Sequence, residues 1–262
     1  MLSARSLLIR GMLVGLAAGV AAYLFATLFG EGPVGQAIDF ESAAGAAAHA
    51  ASHGAADAAH TDAAEPELVS RTVQSTIGLA TATLVYGVAL GGLFALAFAV
   101  AYGRIGRFTP RATAALVGLA GFVTVALVPF LKYPANPPAT GNPDTLGQRT
   151  GLYFLMVVIG VAAGLLALYL GRWLHPRYGA WNATLLSVGA YAVFITVVQL
   201  SLPSINEVPD GFPALVLWEF RLASLGTQFV TWATLGLLFG ALTERRVRAG
   251  AVRRGVGATV PV

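Results

Sequence analysis

The chain has 262 residues, of which 56% are hydrophobic and only 11% charged, with a formal net charge of +4. A soluble globular domain carries about a quarter charged residues, so an ordinary soluble enzyme is excluded. The absence of cysteine rules out disulfides, iron–sulfur clusters and thiolate metal sites. The basic residues flank apolar segments instead of forming an aromatic-interleaved patch, which excludes nucleic acid as a partner.

In chain order, apolar stretches long enough to cross a hydrocarbon core of about 30 Å run over residues 7–29, 77–102, 112–131, 151–170, 181–202 and 214–242. None alternates polar with apolar residues as an outer-membrane barrel strand would. The predicted fold is therefore all-α: one polytopic membrane domain over residues 1–262, with about six transmembrane helices in the lipid bilayer. Arg5 and Arg10 precede the first stretch. Its apolar core exceeds the roughly 7–15 residues of a secretory signal and no clear A-x-A site follows, which predicts a retained anchor.

Between the first two stretches lies a predicted outside loop, residues 30–70, with His49, His53 and His60 interleaved with Asp57 and Asp62 in an alanine-rich run. On a helix, His53 and His60 fall about 40° and 20° around the axis from His49, and Asp57 about 80°. Imidazoles at i and i+4 grip a borderline divalent cation, so His49, His53, His60 and Asp57 are the candidate metal ligands. The competing reading is a low-complexity spacer. His175, beside Pro176 and Arg177, reads as a solvated residue of an inside loop.

Residues 129–149 hold five prolines and two glycines, which forbid a regular helix and predict a rigid, extended course. Such backbone at membrane depth is either buried in protein or lines a wet cavity. The last outside loop carries Glu207 and Asp210 and leads into Trp218-Glu219-Phe220-Arg221. Asp144, Glu207, Asp210 and Glu219 together offer oxygen ligands at the mouth of a path. Glu219 and Arg221 are expensive in lipid and should either face the bundle, a partner or water, or snorkel to the outer interface that Trp218 marks. Gln199 and Gln228 either line a path or bond across helices.

Sorting charges into the compartments that six spans create places twelve of sixteen basic residues on the side of the termini and eleven of twelve acids on the other. The excess of arginine marks the cytoplasmic side, predicting N-in and C-in orientation. Small residues recur every fourth position at Gly11, Gly15 and Gly19, at Gly87 and Gly91, at Gly160 and Gly164, and at Gly236 and Gly240. In lipid such stripes allow close helix contact. Val14-Gly-Leu-Ala-Ala-Gly-Val echoes Ile159-Gly-Val-Ala-Ala-Gly-Leu, which fits either an inverted repeat or two independent packing stripes. No phosphate loop, HExxH, G-x-S-x-G or paired intramembrane aspartates are present, so no enzyme is expected.

The basic N-terminus before a Gly/Ala-rich span, the His-containing loop ending in Glu67-Leu-Val-Ser-Arg71, and the Pro-rich segment closing in Leu146-Gly147-Gln148-Arg149 resemble the CbtA family of predicted cobalt transporter subunits. The resemblance covers nearly the whole chain. It implies a multi-pass subunit of the bacterial inner membrane that takes up divalent cobalt for cobalamin biosynthesis. It also implies a small single-span partner, CbtB-like, and cobalt as transported ion rather than a tightly bound cofactor. Imidazole and carboxylate ligands do not by themselves select cobalt over nickel or zinc. A non-transporting membrane scaffold is the alternative reading.

Overall fold

The computed structural model describes residues 3–52 and 70–257, and all regular structure among them is helical. Helix α1 spans Ala4–Phe29 and α2 spans Glu31–Ser52. A third, α3, runs over Arg71–Ala101 and a fourth, α4, over Pro110–Lys132. The chain is completed by α5, Pro143–Ser201, and α6, Ala214–Gly257. Their starts follow local capping chemistry. Ser3 accepts from Ser6 N–H at 3.3 Å ahead of α1. Thr109-Pro110 and Asn142-Pro143 each place an acceptor before a proline that has no N–H to satisfy, with bonds from Ala112 at 3.2 Å and Asp144 at 3.0 Å. At the far end of α3, Arg104 donates to the orphan carbonyls of Ala99 and Val100 at 3.3 and 3.0 Å.

Among the described residues five helices are long and apolar enough to cross a membrane, where six separate stretches were expected. The fourth and fifth stretches are joined in α5. A straight helix would hold residues 171 and 183 about 18 Å apart, yet a Cβ on Gly171 would lie 4.0 Å from Ala183 O and 3.1 Å from Ser187 Oγ. The chain therefore turns back on itself within α5. The reversal is at Gly179, whose φ of 73° and ψ of 170° are open essentially only to glycine. Its two arms, residues 143–178 and 180–201, pack antiparallel.

The arms and helices alternate in direction. On α1, Gly11, Gly15 and Gly19 meet Gly91, Gly87 and Thr83 of α3, in antiparallel order. A Cβ on Gly15 would stand 2.1 Å from Gly87 O, and one on Gly87 2.3 Å from Gly15 O. No side chain fits between them, so backbone touches backbone. Gly236 and Gly240 of α6 pack in the same way on Gly118 and on Ala114 and Arg111 of α4, and Gly160 and Gly164 of α5 pack on Thr124. All four predicted stripes are thus packing surfaces. The echoing stripes of α1 and α5 have non-equivalent partners, α3 and α4. Arg10 of α1 donates to Thr243 of α6 at 3.1 Å, so the start of α1 and the end of α6 share one end of the bundle. The core between them is aromatic, with Phe239 edge-on to Phe94 and Phe98 at 5.4 and 5.0 Å.

The opposite end carries the connections 133–142 and 202–213 and the start of α2. The predicted outside loop 30–70 begins as the helix α2, in which Ala37 and Phe40 pack on Phe212 and Val216. The Glu31–Arg71 ion pair ties the two ends of this excursion together.

Candidate functional site

The Pro-rich segment is irregular and partly buried only over residues 133–142, with Tyr133, Pro137 and Thr140 inside. Residues 129–132 belong to α4 and 143–149 to α5, so the extended course expected over 129–149 is shorter at both ends. Pro129 and Pro143 sit in the first turn of helical segments, where a proline is tolerated. Four side chains from outside the segment fasten it. Arg149, in the second turn of α5, donates to Pro134 O at 2.8 Å and to Glu207 Oε2 at 2.9 Å. Asn136 donates to the same Glu207 oxygen at 3.1 Å and accepts from Arg221 of α6 at 3.1 Å. Thr145 donates to the other Glu207 oxygen. The Glu207 side chain is only 2% exposed. Its charge is sustained by one guanidinium and two neutral donors, as a buried carboxylate needs. Tyr133 donates to Pro203 O at 2.9 Å, and burial raises its phenol above the ordinary range, so it stays protonated and a donor.

Beneath this roof is a cavity of about 390 Å³. Tyr133 and Ala135 line it on the side of the roof. Its walls are Ala126 and Phe130 of α4, Leu146, Arg149, Thr150 and Tyr153 of α5, and Ser224, Leu225 and Gln228 of α6. The α4 wall is irregular for an identifiable reason. Pro129 has no N–H to give to Val125 O, and residues Phe122–Leu127 form a π-turn. The freed Val125 carbonyl accepts from Tyr153 OH at 3.2 Å, and Val128 O accepts from Gln199 at 2.9 Å. In a membrane each such group must find a partner inside the protein. Gln199 therefore bonds across helices, and Gln228 faces the cavity within hydrogen-bond reach of Tyr86.

The sequence-predicted site residues fall as follows. His49 lies in α2, and His53, Asp57 and His60 lie outside the described residues. Asp144 is exposed in the first turn of α5, Asp210 is exposed in the turn before Gly211, and Glu219 is exposed on α6. Only Glu207 turns inward. Among the described residues no three His, Asp or Glu side chains come together as a metal site. Arg221 reaches into the roof while Glu219 faces outward, so the two are not a pair. Asn136, Thr145, Thr150 and Ser224 were not singled out from sequence, and Arg149 was read only as the end of the motif Leu146-Gly147-Gln148-Arg149. The available signal was that Arg149 and Arg221 are two of only four basic residues on the acidic side. His175 is exposed near Arg177, whose guanidinium stacks 4.8 Å from the Trp173 ring.

Residues 4–244 match the profile of the CbtA family, described as a probable cobalt transporter subunit. No curated protein and no solved structure matches the chain.

Proposed function

The chain belongs to the CbtA family, and from that premise we propose that it is the multi-pass subunit of a cobalt uptake system in the bacterial inner membrane. It crosses six times, the two arms of α5 counting separately, with both termini in the cytoplasm. The alternating helix directions support that count, and the arginine excess at the end shared by α1 and α6 supports the orientation. The family description as a subunit supports a partner, and we assign that role to a small single-span membrane protein of the CbtB type. The protein works as a carrier component and not as an enzyme.

In this reading His49, His53 and His60, helped by Asp57, collect hydrated Co²⁺ outside. Asp144, Asp210 and Glu219 are exposed at the same end as the Pro-rich roof and raise the local cation concentration. Glu207 anchors that roof. The observation that carries the proposal is the family match across residues 4–244. The test is uptake of radiolabelled Co²⁺ into proteoliposomes holding the chain with and without its single-span partner. Uptake above that of protein-free vesicles, competed by unlabelled Co²⁺, is expected. Its absence with both proteins present sinks the transport reading.

A further inference from the structure

We propose that the apolar groove between α1 and α3 seats one transmembrane helix of a second subunit, which approaches the backbone of this chain at Gly92. The inference rests on the reading of the chain as one subunit of a membrane complex, and it adds the surface at which that complex forms.

The groove flanks the contact in which Gly11, Gly15 and Gly19 of α1 meet Gly91, Gly87 and Thr83 of α3. Because these glycines bring the two backbones together, the larger side chains beside the seam stand up as walls. Leu8, Met12 and Leu16 form the α1 wall, and Leu93 and Leu96 belong to the α3 wall. The space between them is about 640 Å³, and no polar side chain lines it. From Leu84 to Leu96 the groove follows α3 for about 18 Å. That is more than half the depth of a hydrocarbon core of about 30 Å.

The α3 side of the groove has the pattern of a helix contact. Val85, Ala89, Gly92 and Leu96 follow one another at steps of four, three and four residues, the spacing of a seam that packs along a second helix at a shallow angle. Val85 is 65% and Leu96 49% exposed, so this seam stands open among the described residues.

Gly92 distinguishes a helix from lipid as the occupant. A Cβ on Gly87 would lie 2.3 Å from Gly15 O and one on Gly91 2.2 Å from Gly11 O, whereas one on Gly92 would meet only Met12 Cγ at 3.8 Å. Packing within the chain therefore requires glycine at 87 and 91 and does not require it at 92. Glycine inside a helix is less favourable than alanine. Acyl chains conform to a helix surface with or without one methyl group, so lipid gives Gly92 no use. A neighbouring helix does, because close backbone approach at a small residue is a main source of association in lipid. The occupant is accordingly an apolar helix with glycine, alanine or serine at the level of Gly92. The family description as a transporter subunit supplies the second subunit that such a helix would come from.

The experiment co-expresses the full chain with its affinity-tagged single-span partner and measures how much chain is recovered with the tag in mild detergent. Gly92→Leu, which fills the groove, should lower recovery about tenfold. Gly189→Leu is the control, since a Cβ there also meets nothing within 4 Å, and it should leave recovery unchanged. Contact is read separately and does not depend on the folding of Gly92→Leu. The chain has no cysteine, so Leu93→Cys and Leu186→Cys each accept a single photoreactive benzophenone label. Both positions are exposed in the unsubstituted chain. Irradiation should join the partner to the label at 93 and not to the label at 186. Recovery that survives Gly92→Leu, equal capture from both labels, or capture at 93 of lipid or of a second copy alone overturns the groove and leaves the partner reading standing. Failure of the unsubstituted chain to be recovered with the partner removes the partner reading and the groove proposal together.

Discussion

Gly15→Ala is the sharpest test of the packing. The added Cβ would lie 2.1 Å from Gly87 O, and ordinary contact begins at 3.4 Å, so α1 and α3 must part locally by 3.4 − 2.1 = 1.3 Å. Gaps of about 0.5–1 Å already forfeit a quarter to a half of each dispersion contact, and overpacking a close contact costs about 1–3 kcal/mol. The loss expected for Gly15→Ala is therefore about 2 kcal/mol, even though alanine is intrinsically favoured over glycine in a helix. Gly87→Ala should cost a similar amount. The double variant should cost clearly less than the sum, because the helices need part only once. Gly92→Ala is the control on the same helix, its Cβ meeting only Met12 Cγ at 3.8 Å, and it should be neutral or stabilising. The assay is reversible unfolding in mixed micelles of rising SDS fraction, read by circular dichroism. Additive costs for Gly15→Ala and Gly87→Ala, or a Gly92→Ala penalty as large as theirs, would refute the backbone-to-backbone contact.

Glu207→Gln leaves Arg149 without the carboxylate that pairs with it among the described residues and should destabilise the protein by about 3–5 kcal/mol, seen as a lower thermal midpoint and faster proteolysis of residues 133–142. Gly179→Ala forces a Cβ into a backbone conformation that costs about 1–3 kcal/mol, and unfolding midpoints should show it although nothing lies within 4 Å of the new methyl group. Reporter fusions after Arg254 and within residues 43–62 should read cytoplasm and exterior, and a cytoplasmic signal from the second removes the N-in orientation. Replacing His49 and His53 together by alanine should weaken Co²⁺ binding by the full chain. Binding by the unsubstituted protein should fall as pH drops through about 6.5, since imidazolium cannot ligate metal; equal binding by both proteins in calorimetry makes the loop a spacer.

The membrane helices were legible because length and apolarity suffice to define them, and the glycine stripes were legible because spacing alone places them on one face. The join in α5 was not. Arg172, His175, Pro176 and Arg177 read as a polar loop, but none of them forbids a helical backbone in its position, and one glycine at positive φ completes the reversal. Glu219 and Arg221 read as a unit because they are close in sequence. Two residues on a helix are about 200° of rotation, so one faces the roof and the other faces away. The roof was invisible for a different reason: Arg149 and Glu207 are 58 positions apart, and no local pattern announces a partner at that distance. Grouping Glu207 with Asp144, Asp210 and Glu219 by charge put one buried anchor among three exposed acids.

Neutralisation separates two kinds of acid at the end of the bundle that carries the roof. Glu31 and Glu207 are held by Arg71 and Arg149, two of the four basic residues on that side, and both pairs tie connections to the bundle. Asp39, Glu41, Asp144, Asp210 and Glu219 are exposed and enter no ion pair among the described residues. Dispersed carboxylates of this kind act on a cation through their summed field, over about 10 Å at 0.1 M salt. They do not fix its geometry as a ligand cage would. On the proposed reading, specific capture by the histidines and electrostatic concentration by the exposed acids are tasks of different residues. The paired acids serve neither: their charge is spent on holding the roof and the α2 excursion in place, which is why Glu207, the most buried carboxylate of the set, is the one whose loss should be felt as stability before it is felt as transport.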